Sequence, residues 1–270
     1  MKNKLALFLI TLMFISCKDE ISKELPDYLK GKPHSFDYSD KNGNIIKKEY
    51  YTSKGVLYTV VNYKDNFISN IKEFNNGELL AESEVDEDLN AIKNIYKNGI
   101  IDRVSYGKIT TKGDYSGWWE VYDTQNKILE KIEFINYKGV PYYNQNYFYK
   151  NDGTIDSLKS TFFNLSFLKK KDKEYDCKVD FFTKNNFPYI AFCYSEEIDS
   201  DFSNVNDVHL DTLFVKKKKE GNQFSVKFNE YGLKTIRGYI IAYSKKNFLD
   251  STSTDGVQII KYFEKEILVE

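Results

Sequence analysis

The chain has 270 residues, with 39 Lys and Arg against 40 Asp and Glu, and carries a formal charge of −1 at neutral pH. That balance gives no electrostatic reason to expect nucleic acid as a partner, because nucleic-acid binding needs a basic face. Aromatic residues make up 16%, with 22 Tyr and 20 Phe, and Gly, Asn and Asp punctuate short stretches of Tyr, Phe, Ile and Val that suit a pleated, half-buried surface, so the expected fold class is all-β.

Lys2 and Lys4 precede an apolar run from Leu5 to Ile15, broken only by Thr11 and followed by the small Ser16 and then Cys17. A basic start, an apolar run of roughly 7–15 residues and a small residue at the cut describe a secretory signal. A spanning helix needs about 20 apolar residues, and here the charged Lys18-Asp19-Glu20 arrives first. The segment Phe14-Ile15-Ser16-Cys17 resembles a lipobox, with Phe14 where that family prefers Leu. The resemblance implies a bacterial lipoprotein: a signal peptide over residues 1–16, a diacylglycerol on Cys17 Sγ, a further acyl chain on the freed amine, and the membrane as a partner held through that lipid. Each buried CH₂ contributes about 0.8 kcal/mol, so two or three chains hold a protein effectively permanently. Lys18-Asp19-Glu20 resembles the Lys-then-acidic signal that sends some Gram-negative lipoproteins to the cell surface, and equally reads as a solvated charged tether. The expected location is the outer membrane of a Gram-negative bacterium. Residues 17–35 read as the lipidated tether, with one helical turn around Ser22–Leu29 bounded by Pro26 and Pro33, since proline interrupts a longer helix.

From residue 36 to 165 a loose pattern recurs: an aromatic, a few polar residues, Gly or Asn, then an aliphatic. It appears as Tyr38 to Gly43 to Ile45, Phe74 to Gly77 to Leu79, Tyr96 to Gly99 to Ile100, Tyr122 to Asn126 to Ile128, and Tyr149 to Gly153 to Ile155. Each copy predicts strand, tight turn, strand, because Asn-Gly and Asp-Gly supply the positive φ of hairpin turns. The copies, notably Gly117-Trp118-Trp119-Glu120-Val121-Tyr122 followed by Lys127-Ile128-Leu129-Glu130, resemble the MORN-like repeat of the YwqK-type antitoxin family. That resemblance implies serial hairpins stacked into one long curled sheet, acting by binding protein partners rather than by catalysis. A plain antiparallel meander is the other reading; in both, each hairpin must stack on its neighbour to bury its aromatic face.

Leu168 to Glu174 is charged and reads as a linker or exposed loop. Beyond it, residues 175–270 predict strands at Cys177–Thr183, Tyr189–Ser195, Val208–Lys216, Gln223–Phe228, Thr235–Tyr243 and Val257–Leu268. Six or seven short strands in about 100 residues suggest an immunoglobulin-like (Ig-like) β-sandwich. The stretch Phe228 to Tyr239 resembles late strands of bacterial extracellular Ig-like domains. Cys177 and Cys193 are an even pair for an oxidising compartment. A hairpin turning at Asn185 would set them opposite each other for a cross-strand disulfide, while a one-residue register change would leave two buried free thiols.

Little in the sequence carries catalytic chemistry. His34 falls in the tether and His209 in an expected strand, and no nucleophile elbow, zinc-binding helix or phosphate loop is present. No cofactor or metal is implied; the acidic stretches Glu82 to Asp88 and Glu196 to Asp201 read as solvated loop charge, and Lys216 to Lys219 as an exposed hairpin end. Trp118-Trp119, with Tyr122 three residues after the pair, is the candidate binding site: neighbouring strand residues point to opposite faces, so one ring enters the core and the other is wet. The wet ring would stack on a sugar or a partner's apolar residue, or else pack in a second buried surface. The function expected is a non-catalytic protein- or glycan-binding module at the cell envelope, or an antitoxin-like lipoprotein that neutralises a toxin by occupying it.

Overall fold

The computed structural model describes residues 31–185, 187–216, 222–244 and 258–270. The signal peptide, Cys17, the helical turn around Ser22–Leu29 and lysines 217–219 lie outside the described residues. The described residues hold seventeen strands and no helix.

Ten strands form one antiparallel sheet in sequence order: β1 (His34–Ser39), β2 (Ile45–Tyr51), β3 (Leu57–Lys64), β4 (Phe67–Asn75), β5 (Glu78–Val85), β6 (Asn90–Lys97), β7 (Ile100–Ile109), β8 (Tyr115–Asp123), β9 (Ile128–Tyr137) and β10 (Val140–Phe148). Two kinds of turn join them. Asp65-Asn66, Asn76-Gly77, Asn98-Gly99 and Lys138-Gly139 have positive φ at both residues, the geometry whose twist matches that of the flanking strands. The other kind spans five residues and begins at Asp40, Thr52, Asp86, Thr110 or Asp123, whose side-chain oxygen accepts the N–H groups two and four residues on. The fourth residue of each five-residue turn takes the left-handed conformation: Gly43, Gly55, Leu89, Gly113 and Asn126. His34 opens β1 and is therefore part of the sheet, not of the tether.

The sheet curls. Tyr115 on β8 donates a 2.5 Å hydrogen bond to Glu73 on β4, although four strand spacings of a flat sheet would separate them by about 19 Å. The inner face carries a core of Val61, Ile68, Ile71, Ala91, Ile109 and Trp119.

The remaining strands form a three-stranded sheet, β11-β12-β15 (Phe162–Lys171, Glu174–Phe182, Asn222–Lys227), and a four-stranded one, β14-β13-β16-β17 (Asp211–Lys216, Tyr189–Ser195, Gly232–Tyr243, Gln258–Val269). They share one core in which Val179 and Val226 from the first sheet meet Ile190, Phe192, Ile236 and Ile240 from the second, all with no exposed surface. Each such side chain contributes about 1.5–3 kcal/mol by leaving water. The four-stranded sheet is covered on its other face too, where Ala191, Cys193, Ile241 and Tyr243 cluster. Burial on both faces is why β13 is an unbroken apolar run rather than an alternating one.

Several sequence expectations change here. Of the two readings of the charged stretch 168–174, the linker is excluded and the exposed one holds: it is the exposed end of the β11–β12 hairpin, and β11 pairs with β12 rather than with the long sheet. The strand expected from Val208 begins at Asp211, which leaves His209 outside it. The cross-strand disulfide does not form. β12 and β13 belong to different sheets, Cys177 faces the shared core, and Cys193 faces the opposite side of its own sheet; both thiols are free and buried.

Candidate functional site

Trp118 and Trp119 separate as strand alternation demands. Trp119 is 3% exposed and points inward; Trp118 is 37% exposed and points outward. Of the three residues singled out from the sequence, Trp118 and Tyr122 therefore share the outer face, and Trp119 is a core residue rather than a binding one.

The outer face organises around Trp118. On β10, Tyr147 packs against it at 5.7 Å between ring centroids, then against Phe162 at 4.4 Å, which stacks on Phe182 at 4.5 Å. On the other side Tyr106 and Tyr122 meet edge to face at 5.6 Å. Lys131 lies 5.4 Å above the Trp118 ring, where an ammonium is attracted to the electron-rich face. Its Nζ sits 3.0 Å from Glu120 Oε1, and Tyr122 donates to Glu120 Oε2 at 2.8 Å. The Tyr122 hydrogen bond and then Lys131 hold Glu120 below the ordinary carboxylate range, while the Glu120 bond raises Tyr122. At neutral pH this is an ionised acceptor and a protonated phenol, fixed beside an exposed indole. With Tyr106 43% and Phe182 38% exposed, the result is an aromatic track across several strands, interrupted by one acceptor and one donor.

Glu120, Lys131, Tyr147 and Tyr106 were not singled out from the sequence. Their signal is register: Glu120 pairs with both Tyr106 and Lys131, and Lys131 with Tyr147, which only the strand pairing discloses. Nothing in the arrangement pairs a nucleophile with a base. Among the described residues no group of three or more His, Cys, Asp or Glu side chains is placed to hold a metal ion.

No family model matches the chain, and no curated protein does. Among solved structures, a porin-like protein from Bacteroides uniformis aligns over 89% of this chain and 98% of that one, at 10% identity and a TM-score of 0.22.

Proposed function

We propose that the chain is a non-catalytic binding module, anchored by lipid on Cys17 in the outer membrane of a Gram-negative bacterium, that engages a glycan or protein through the outer face of its long sheet. The observation that carries this reading is the exposed Trp118, braced by Tyr147 and Lys131 beside the fixed Glu120 carboxylate. An indole face stacks on the C–H face of a sugar or on an apolar side chain, and a carboxylate next to it orients hydroxyl or amide donors. The test is a glycan-array and envelope pull-down comparison of the wild-type chain with Trp118→Ala. Binding lost in the variant with unchanged thermal melting supports the reading; retained binding overturns it. Anchoring is tested separately: Cys17→Ser abolishes palmitate labelling and releases the chain from the membrane fraction.

A second reading, an antitoxin-like lipoprotein, is favoured by the YwqK-like motif at Gly117–Tyr122 together with ten serial strands in one sheet. A toxin recovered with the chain, and neutralised by it in vitro, supports this one. The C-terminal sheets fit an Ig-like sandwich whose fourth strand, β14, pairs with the third rather than with the fifth, so that the sheets divide three and four. Such a sandwich would serve as a rigid base for the long sheet.

A further inference from the structure

The curl of the long sheet leaves a cavity of about 310 Å³ on its inner face, closed on one side by the turn at Thr110–Asp114. Strands far apart in sequence line it: Tyr50, Tyr58, Val61 and Glu73 from β2 to β4, Tyr115 from β8 and Pro141 from β10. Tyr58 reaches it through a bulge. The pairing steps from Tyr50–Thr59 to Tyr51–Leu57, leaving Tyr58 without an opposite residue; an extra residue in one strand re-aims a side chain, and here it sets the Tyr58 ring 6.3 Å from that of Tyr50.

The polar groups of this cavity are held in advance. Lys93 donates to both Glu73 oxygens at 2.8 and 2.9 Å, Tyr115 OH donates to Glu73 Oε1, and Lys93 also bonds the Tyr115 oxygen. Burial first, then the Glu73 charge, raises Tyr115, so at neutral pH its one O–H stays in place on Glu73 and the phenol oxygen can serve a ligand only as an acceptor. The Glu73 side chain is 32% exposed, leaving acceptor capacity open to the cavity. The formal charges balance: Glu73 is paired with Lys93, and the turn brings one Lys112 and one Asp114 to the lining. A free ion gains little from such a site. A neutral polyhydroxyl ring suits it, because its hydroxyls can donate to Glu73 and the Tyr115 oxygen and accept from Lys112 at the turn, and the ring's C–H face needs an aromatic wall. We infer that this inner cavity binds a neutral pyranose ring of a glycan, stacked on Tyr50 and Tyr58 and hydrogen-bonded to Glu73 and Tyr115. The site lies on the face opposite Trp118 and stands whether or not that outer face binds anything.

The test is saturation-transfer NMR on the full chain in a zwitterionic detergent. The probes are methyl glucoside, methyl galactoside and N-acetylglucosamine, with glucosamine and glucuronate as charged counterparts. At least one neutral sugar is expected to bind at millimolar concentration. Tyr58→Ala, whose ring is already 40% exposed, should weaken it roughly tenfold, with melting unchanged. Leu233→Ala, on the distant β16, serves as the control. In a Trp118→Phe chain the remaining tryptophan, Trp119, packs on Tyr115 at 4.9 Å, and its emission should shift on titration. Absence of transfer to every neutral sugar overturns the inference. So does transfer that survives Tyr58→Ala, tighter binding of a charged counterpart, or transfer that Trp118→Ala removes and Tyr58→Ala leaves, which would assign the sugar to the outer face.

Discussion

Trp119 is held by contacts that its sequence neighbours do not advertise. Its Nε1 donates to the Lys108 carbonyl at 3.0 Å, and its ring lies so close over Gly107 that an added Cβ would stand 2.2 Å from a ring carbon. Glycine is needed there for space. Gly107→Ala must push the indole out of the inner core, and overpacking of this kind costs about 1–3 kcal/mol. Urea unfolding should show a lower midpoint with an unchanged slope; an unaltered midpoint would mean that the ring does not rest on Gly107. The cysteines make a second prediction. Burial pushes the Cys177 thiol up to about 12 and raises Cys193 as well. The thiolate is the reactive form, so neither should react with a maleimide in the native chain. With Cys17 replaced by Ser, both should label in denaturant without added reductant. A need for reductant would restore the disulfide that the two-sheet arrangement excludes.

Hairpin turns set which expectations were readable and which were not. Asn76-Gly77 and Asn98-Gly99 state their conformation in sequence, and both are turns with two positive φ angles. Asp65-Asn66 and Lys138-Gly139 adopt the same geometry with a weaker signal, and the turns beginning at Thr52, Asp86 and Thr110 depend on a side-chain cap with no Asn-Gly pair. Merging the two turn kinds into one pattern is what made the repeat look irregular. In the C-terminal half, period-2 alternation such as Phe224, Val226 and Phe228 located strands to within a few residues. Alternation says nothing of which strand pairs with which, and so the β11–β12 hairpin and the partners of Trp118 stayed hidden. The turn reading can be tested by opposite changes at equivalent sites. Gly77, at φ 85, should cost about 1–2 kcal/mol when replaced by Ala, since a Cβ is disfavoured in the left-handed region. Asn66, at φ 67, should tolerate Gly without loss, because that change supplies the preferred second residue. Thermal melting of the two variants should therefore move apart; equal losses would contradict the assigned turns.

The long sheet and the two smaller sheets are joined by buried polar groups rather than by a flexible tie. At a bulge in β10, where the pairing steps from Tyr143 to Gln145, Asn144 turns toward β17. Its amide accepts the Tyr262 N–H at 2.8 Å and donates to the Tyr262 carbonyl at 2.8 Å, standing in for a missing neighbour strand. Tyr142 OH does the same for the Ile260 carbonyl at 3.0 Å, and Gln145 accepts the Phe163 N–H at 2.9 Å. The free edge of β17 is thus engaged at Ile260 and Tyr262, which blunts a pairing template that would invite aggregation. The Asn144-Gln145-Asn146 run was the sequence signal for this junction, since amides are depleted from strand interiors. Lys261 completes the junction at a cost. It is 6% exposed; its ammonium makes a long 3.4 Å hydrogen bond to the Tyr143 carbonyl and lies 5.9 and 5.8 Å from the Tyr142 and Tyr143 rings. Burial pulls its ammonium down to about 8, against 10.5 for a free lysine, with Glu133 offsetting part of the shift. Below pH 8 both folded and unfolded chains carry the proton, and the folded one bears the full desolvation penalty, about 3 kcal/mol for a shift of this size. Between pH 8 and 10 this one site binds more protons in the unfolded chain than in the folded one, so its contribution to stability rises with pH through that window. Lys261→Met should remove that contribution, so that its advantage over the wild-type chain is up to about 3 kcal/mol at neutral pH and shrinks towards pH 10, because a methionine keeps the packing without the charge. Urea midpoints at pH 7, 8, 9 and 10 for the two chains decide it. Parallel curves would mean that the amine reaches water, and that the sheets are not held as tightly at this junction as the side chains of β10 and β17 imply.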